Sequence, residues 1–156
     1  MNIYSNLKLA TLLKKIEKIA TYPKIEKIAT YPLEEQKKTN PMNNDCLFCK
    51  ISAGSIPSEK IYESETLFAI NDINPQAPTH ILIIPRTHHS CLLDVEETDH
   101  ELMGSIITVA NKLAVEQGLD KTGYRLVVNC GEGAGQSVFH IHYHILGGRP
   151  LKWPPG

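Results

Sequence analysis

The sequence predicts an α+β domain in which an antiparallel sheet of about five strands carries one long helix. Five short segments, separated by turn residues, have the apolar or alternating pattern of strands: Ile61–Glu63, Thr66–Asn71, Thr79–Ile84, Tyr124–Asn129 and Phe139–Ile145. Only one long stretch between them has apolar residues at helical spacing. At 156 residues the chain is long enough for one domain with a core of its own.

The first 44 residues form a separate segment, because the nonapeptide KIEKIATYP occurs there twice in tandem, at Lys15–Pro23 and Lys24–Pro32. Two copies of nine residues are too few and too short for a solenoid. A helix from about Leu7 to Thr21 is expected, and eight lysines against four glutamates allow a membrane-surface or targeting role. A poorly ordered extension is the interpretation that we favour. Translation from Met42 is a further alternative.

The folded domain, residues 45–156, opens with a C-x-x-C motif at Cys46 and Cys49. This spacing is typical of half a zinc site, and it also occurs in redox proteins of the thioredoxin type. No thioredoxin-like unit follows, which favours a metal. His88 or His89 can supply a third ligand and His140 a fourth. The alternative is a pair of buried free thiols.

A loop with two prolines connects the second and third strands. Asp72 and Ile73 end the second strand, and Pro75 and Pro78 force an extended conformation on the residues that follow. The third strand is a short apolar run, consistent with a central position in the sheet. Taken alone, Asp72 is equally consistent with a turn-capping residue.

The long helix is predicted to begin at a capping box, T-x-x-E, formed by Thr98 and Glu101. Its core positions recur at helical spacing: Leu102, Ile106, Val109 and Leu113. Gly118 fits the position just past the helix end. We expect this helix to lie on the sheet without a chemical role.

A glycine-rich loop joins the last two strands. Gly131, Gly133 and Gly135 allow backbone N–H groups to approach a ligand closely, and concave arrays of N–H groups suit anions. Asn129, at the end of the fourth strand, is expected to point into the same cleft. The loop therefore predicts a phosphate cradle.

The last strand carries three alternating histidines, His140, His142 and His144. Side chains alternate faces along a strand, so the three imidazoles share one face. The apolar partners share the other face: Phe139, Ile141, Tyr143 and Ile145. The first and third histidines are ~13 Å apart at Cα, too far to bind one ion together. The alternative is a half-buried strand whose histidines only form hydrogen bonds; the neighbouring loop favours chemistry at phosphorus.

The composition of the chain argues against several other classes of function. A net charge of −1 argues against a dedicated nucleic-acid binder. The sequence contains no apolar run of the ~18–20 residues that a membrane span needs, and no secretory signal pattern. Four cysteines fit a reducing compartment. We expect a cytoplasmic protein, with the nucleus as a second compartment, and no nucleic-acid or membrane partner.

The segment HIHYH followed by two apolar residues resembles the histidine triad (HIT) signature of nucleotide hydrolases and transferases. Further segments look like the HINT branch of that family: Asp72–His80, Ile84–His88, Gly135–Ser137 and Trp153–Gly156. The resemblance covers about Asp45 to Gly156. It implies a HIT-like fold whose sheets join across a two-fold homodimer, with the terminal WPPG docking near the partner's active site.

The resemblance also implies roles for individual residues. Relatives with C-x-x-C hold zinc at the positions that match Cys46, Cys49, His88 and His140, and many HINT relatives lack the cysteines, so the zinc is expected to be structural. The carboxylate of Asp72 would accept hydrogen bonds from the ribose, Ile73 would pack on the base, and His80 would lie near the phosphate. The rest of the implied nucleotide site is Asn129, Gly135, Gln136, Ser137, His142 and His144.

The implied activity is hydrolysis of purine nucleoside phosphoramidates of the AMP-lysine type, and of acyl-adenylates, with release of AMP or GMP. His142 would attack the α-phosphorus and form a nucleotidyl-histidine. Backbone N–H groups, the side chains of Gln136 and Ser137, and His144 would stabilise the phosphoryl oxygens. Ser137 or His144 would pass a proton to the leaving amine. No catalytic metal is required.

Two other functions compete with this one. A dinucleoside polyphosphate hydrolase of the Fhit branch has a different segment after the triad, whereas this chain has Gly147-Gly148 and WPPG. A non-catalytic adaptor that binds nucleotides or protein partners has no need of a nucleophile. A zinc module for nucleic acid fits poorly, because the Lys-rich stretch lies in the extension.

Overall fold

The computed structural model describes residues 45–155, so the predicted helix and repeats of the first 44 residues lie outside the described range. The helices and strands follow in this order: α1 (Leu47–Ser52), β1 (Lys60–Glu63), β2 (Leu67–Asn71), β3 (Thr79–Pro85), α2 (His100–Glu116), β4 (Tyr124–Val128) and β5 (Tyr143–Gly147). All neighbouring strands are antiparallel, in the order β1-β2-β3-β5-β4. The predicted α+β class is confirmed. Neither described helix is long and apolar enough to cross a bilayer.

The two faces of the sheet bury different clusters. Ile81 and Ile83 of β3 face the long helix α2, whereas Leu82 and Ile84 pack with the short helix α1 on the opposite face. Since side chains alternate along a strand, His80 lies on the α1 face. β3 pairs Leu82 with His144 of β5, which places His144 on that face too. The long helix therefore builds the core, and the histidines occupy the other side of the sheet.

The capping box predicted at the start of α2 is wrong. A 3-10 turn precedes the helix and contains Thr98, so Thr98 cannot cap it and Glu101 already lies in the first helical turn. The carboxylate of Asp99 instead accepts the backbone N–H of Glu96 at 2.9 Å. The acidic side chains before α2 therefore accept hydrogen bonds from backbone N–H groups of their own turn.

The predicted end of α2 is confirmed. Gly118 has a positive φ of 69°. Its N–H donates to the carbonyl of Val115 at 2.9 Å, and the N–H of Leu119 donates to that of Ala114 at 2.8 Å. This pair of bonds is the Schellman motif, in which glycine avoids the steric cost of the left-handed conformation.

β5 begins later than predicted, so the face that Phe139 was expected to share is incomplete. Phe139 is 48% exposed rather than buried. The reason is a tight turn before the strand, where the N–H of His140 donates to the carbonyl of Val138 at 2.9 Å. The next residue, Ile141, is buried as predicted and donates its N–H to the carbonyl of His89 at 2.8 Å.

Candidate active site and metal centre

Four side chains from three parts of the chain form one cluster: Cys46, Cys49, His88 and His140. Their ligand atoms all lie within 4.8 Å of one another. Nδ1 of His140 is 3.3 Å from Sγ of Cys46 and 3.1 Å from Nδ1 of His88. Sγ of Cys49 is 3.4 Å from Nδ1 of His88. The four residues that the sequence singled out as metal ligands are therefore adjacent.

These distances fit a tetrahedral zinc ion. Zn–S bonds of ~2.3 Å and Zn–N bonds of ~2.0 Å put neighbouring ligand atoms about 3.3–3.8 Å apart. Nε2 of His140 lies 2.8 Å from the carbonyl oxygen of Pro85 and donates to it, which leaves the Nδ1 lone pair for a metal. Burial lowers the pKa of His140 to about 4 and also lowers the pKa of His88. Both ligands are therefore deprotonated at neutral pH, as metal binding requires.

His89, the alternative ligand, is not part of this cluster. It is buried, and its Nε2 has no hydrogen-bond partner among residues 45–155. The nearest carboxylate oxygen, Oδ1 of Asp99, is 3.8 Å away. The sequence could not separate His88 from His89, because both follow β3 directly.

The tautomer of His142 follows from its backbone contact. Nδ1 lies 2.7 Å from the carbonyl oxygen of His140, so the ring proton is on Nδ1. Nε2 then carries the lone pair, and no residue in the described range hydrogen-bonds to it. The Phe48 ring contacts His142 edge-on, with centroids 5.2 Å apart. His142 is thus an imidazole with a fixed ring orientation and an available nucleophilic nitrogen.

A second chain of hydrogen bonds fixes His144. The backbone N–H of Gln76 donates to Nδ1 of His80 at 3.1 Å, so the His80 proton is on Nε2. That Nε2 lies 2.9 Å from Nδ1 of His144 and donates to it. A neutral His144 therefore carries its proton on Nε2. This N–H is buried and has no partner within the described part of the chain.

Electrostatics keep His144 neutral. Burial, followed by the neighbouring His142 and His80 rings, lowers the pKa of His144 to about 4. A buried N–H without an acceptor costs roughly 1–3 kcal/mol, so this group favours a ligand that accepts a hydrogen bond. His142 and His144 have ring centroids 4.9 Å apart, so the two imidazoles are neighbours.

A second group with metal-ligand atoms, formed by Asp72, His80 and His144, does not fit a metal. The three atoms lie within 4.8 Å of one another. A metal on Nε2 of His80 would move the His80 proton to Nδ1, where it would meet the N–H of Gln76. At the zinc cluster the backbone contact has the opposite effect, since the Pro85 carbonyl frees the coordinating nitrogen of His140.

The predicted nucleoside-binding residues lie beside these histidines. Oδ1 of Asp72 accepts the N–H of Asn74 at 2.8 Å, which is the turn-capping role left open by the sequence. The other oxygen, Oδ2, lies 3.4 Å from Nε2 of His80. Ile73 is 100% exposed, so its apolar side chain is free to contact a ligand.

The glycine-rich loop differs from the expected N–H cradle, because it uses most of its donors itself. The N–H of Gly135 donates to Glu132, and those of Ala134 and Gln136 donate to the carbonyl of Gly131. Gly131 donates in turn to Oε1 of Gln136 at 2.8 Å. A 3-10 turn at residues 132–134 closes the loop on itself, which glycine spacing alone does not reveal.

The side chain of Gln136, predicted to stabilise phosphoryl oxygens, forms hydrogen bonds within the protein in this structure. Nε2 of Gln136 donates to the carbonyls of Ser90 and Val138 at 2.6 and 3.1 Å. Gln136 therefore organises the loop from inside. Ser137 is exposed, and neither its N–H nor its hydroxyl donates to another described residue. Asn129 lies next to Gly135, with its Nδ2 3.9 Å from where a Cβ would be.

Sequence reasoning missed two contributors, the backbone of Gln76 and the carbonyl of Pro85. Both act through backbone atoms, which carry no residue-type signal. The other two cysteines, Cys91 and Cys130, lie outside the metal cluster. Their thiols interact, and burial is the main cause of a raised pKa at Cys91, so this thiol is a poor nucleophile.

Comparison with known proteins places this architecture among related chains. A family model described as "HIT domain" matches residues 53–151. A 14 kDa zinc-binding protein of Zea mays is 49% identical over 112 residues, which cover 70% of this chain and 87% of the maize protein.

Three solved structures are similar. A HIT family hydrolase from Legionella pneumophila has 52% sequence identity and a TM-score of 0.71, and the match covers 72% of this chain and all of that one. A histidine triad nucleotide-binding protein from Candida albicans has 34% identity and a TM-score of 0.60, with 69% and 84% covered. A zinc-bound histidine triad family protein from Mycobacterium smegmatis has 37% identity and a TM-score of 0.59, with 67% and 76% covered. The zinc-binding relatives and the Cys/His cluster together support a structural zinc ion.

Proposed function

This chain belongs to the HIT domain family, and from that premise we propose that it hydrolyses the P–N bond of purine nucleoside phosphoramidates. The observation that carries the proposal is that two neighbouring imidazoles differ in hydrogen bonding: one has an available lone pair and the other an available N–H. Among residues 45–155, nothing hydrogen-bonds to Nε2 of His142, and the buried Nε2–H of His144, whose ring centroid is 4.9 Å away, has no acceptor. The first can attack phosphorus while the second binds a phosphoryl oxygen.

Nε2 of His142 attacks the α-phosphorus, and the bond from phosphorus to the amine nitrogen breaks. The nucleotidyl-histidine retains its proton on Nδ1, where the carbonyl of His140 accepts it at 2.7 Å. This contact stabilises the positive charge of the substituted ring, as the oriented acceptor of a catalytic triad does. Water then attacks phosphorus, the bond from phosphorus to Nε2 of His142 breaks, and AMP or GMP leaves while the lone pair of His142 is restored. The proton that water loses replaces the one passed to the leaving amine. Covalent catalysis replaces one difficult displacement with two easier ones.

Nε2–H of His144 donates to a phosphoryl oxygen throughout. Because its pKa is about 4, His144 is neutral at pH 7 and acts as a hydrogen-bond donor rather than a proton source. Ser137 and His144 were the two groups predicted to pass a proton to the leaving amine. The neutral state of His144 favours the exposed Ser137 hydroxyl for this role. Removing one oxyanion donor typically costs about 10²–10³ in rate.

Binding of the nucleoside would use the loop after β2. The carboxylate of Asp72 accepts the ribose hydroxyls, and the fully exposed Ile73 packs on the base. Zinc, held by the cluster that includes His140, would supply rigidity beneath the triad, and all four of its ligand positions would be occupied by protein. A homodimer would cover the β4 edge and bring the exposed Trp153 to a partner.

The proposal is tested by following AMP release from an adenosine phosphoramidate of lysine and from a diadenosine polyphosphate. We expect cleavage of the first substrate to be much faster, and His142→Ala to abolish it while AMP binding survives. His100→Ala is the matched control, since within residues 45–155 the side chain of this exposed histidine hydrogen-bonds only to the carbonyl of Glu97. Faster cleavage of the polyphosphate would assign the chain to the alternative reaction.

A further inference from the structure

The chain of hydrogen bonds that sets the His144 tautomer begins outside the triad, at the backbone of Gln76. Its N–H donates to Nδ1 of His80 at 3.1 Å, and Nε2 of His80 continues to Nδ1 of His144 at 2.9 Å. The peptide of Gln76 belongs to a loop with two prolines and few backbone bonds to the sheet. A contact that fixes the position of this peptide would therefore also fix its hydrogen bond to Nδ1 of His80.

Arg149 contacts this loop directly. Nη2 of its guanidinium donates to the carbonyl oxygen of Gln76 at 3.0 Å, and Nη1 donates to that of Pro150 at 3.2 Å. The side chain of Gln76 adds a bond within the loop, from Nε2 to the carbonyl of Asn74 at 2.8 Å. Arginine therefore connects the end of β5 to the one residue whose N–H determines the His80 tautomer.

The glycine before Arg149 allows this approach. Gly148 has a φ of 82°, and a Cβ there would come within 3.0 Å of the Pro78 side chain. With glycine at this position the chain turns closely over the loop. The guanidinium can then reach Gln76 from the segment that directly follows β5, the strand that carries His144.

We propose that Arg149 is a positioning residue that, through the Gln76 peptide, keeps the Nε2–H tautomer on both His80 and His144. The catalytic consequence rests on the proposed function, whereas the tautomer itself does not. Without the arginine, the Gln76 N–H leaves Nδ1 of His80, and the His80 proton can move to that nitrogen. Nε2 of His80 then presents a lone pair, His144 takes its proton on Nδ1, and its Nε2 faces the phosphoryl oxygen as an acceptor. Two acceptors repel, so transition-state stabilisation is lost.

The test compares Arg149→Gln, Arg149→Lys and Arg125→Gln in the zinc-loaded full-length chain. Arg125 is a matched control, because its Nη2 also donates to a backbone carbonyl, that of Lys152, at 2.6 Å, but has no link to His80. Long-range ¹H–¹⁵N NMR spectra of the histidine rings report which nitrogen carries the proton, without any substrate. The wild type should show Nε2–H rings at His80 and His144.

We expect Arg149→Gln to shift His80 and His144 toward mixed tautomers and to lower kcat about five- to tenfold, with little change in KM. Arg149→Lys should retain part of the wild-type tautomer population and part of the wild-type kcat. Arg125→Gln should change neither quantity. Unchanged tautomers in Arg149→Gln would overturn the proposal, as would an equal tautomer shift in Arg125→Gln. If no substrate is cleaved even by the wild type, the proposed function fails, and the NMR result still decides the role of Arg149.

Discussion

The carbonyl oxygen of His140 lies 2.7 Å from Nδ1 of His142, while Nδ1 of the same His140 lies 3.3 Å from the thiol of Cys46. One residue therefore contacts both the metal cluster and the proposed nucleophile. Its ring is held on the remaining side by the carbonyl of Pro85, at 2.8 Å. The contact with His142 comes from the backbone, so the cluster supports the nucleophile by fixing the chain rather than by touching the substrate.

Cys46→Ser should lower zinc content and thermal stability much more than activity. Serine keeps the size of the side chain but is a poor zinc ligand, whereas the hydrogen bond from Nδ1–H of His142 to the carbonyl of His140 is unchanged. We expect the melting temperature to fall by several degrees or more and kcat to fall less than tenfold, with zinc measured by elemental analysis. Cys91→Ser is the control, since Cys91 lies outside the cluster. Loss of activity in a folded, zinc-free protein would show that the metal takes part in the chemistry.

Gln136→Glu should disrupt the glycine-rich loop more than its small change in shape implies. A carboxylate can still accept the N–H of Gly131, but it cannot donate to the carbonyls of Ser90 and Val138. Buried carbonyls without donors, facing a negative oxygen, should cost about 1–3 kcal/mol in unfolding free energy. Urea unfolding measures this cost, and Glu132→Gln on the exposed side of the loop is the control. Equal stability of Gln136→Glu and wild type would contradict the internal role of the amide.

Stability should fall on acidification between about pH 6.5 and pH 4. Burial lowers the pKa values of His140 and His144 to about 4 in the folded chain, whereas in the unfolded chain histidine titrates near 6.5. In this window the unfolded chain binds more protons, so the free energy of unfolding decreases as the pH falls.

Replacing His144 with Asn should flatten this pH dependence, because one of the two groups with a lowered pKa is removed. The measurement is the melting temperature of the zinc-free protein at half-unit pH steps, so that metal release does not contribute to the pH dependence. His100→Asn, at an exposed position, should keep the wild-type slope. A His144→Asn protein with the full wild-type slope would contradict the assignment of His144 as a buried neutral imidazole.

Asp72→Asn should weaken nucleotide binding while leaving the local turn intact. Asparagine retains an oxygen that accepts the N–H of Asn74, but it loses the negative charge proposed to bind the ribose. A lost charged hydrogen bond of roughly 1.5–3 kcal/mol predicts a rise of at least tenfold in KM for the phosphoramidate. Calorimetry with AMP provides the parallel affinity. Asp120→Asn, on an exposed part of the chain, should have no effect, and an unchanged KM in Asp72→Asn would remove this residue from the pocket.

The sequence predicted the parts of the site that depend on side-chain type and periodicity. Alternation along one strand was enough to bring His142 and His144 to one face, and ligand chemistry was enough to group Cys46, Cys49 and His140. Both predictions depend on the spacing of residue types along the chain, so small errors in the strand boundaries do not change them.

What the sequence did not predict depends on where backbone groups bond. The N–H groups of Gly135 and Gln136 looked available for phosphate, and a 3-10 turn uses them within the loop. The link from Gln76 to His80 requires a turn around two prolines, whose exact path no residue pattern encodes. The alternation predicted that Phe139 shares the apolar face, but its side chain is exposed because a turn at Val138 precedes the strand.

The central claim, a covalent hydrolase with His142 as nucleophile, is tested most directly by intact-protein mass spectrometry after brief mixing with an adenosine phosphoramidate. Wild type should show a transient mass increase of one nucleotidyl group together with free AMP, and His142→Ala should show neither. AMP release at the wild-type rate by His142→Ala would contradict the assignment. Tight AMP binding by the wild type, without adduct or turnover across several amine leaving groups, would contradict the enzyme itself.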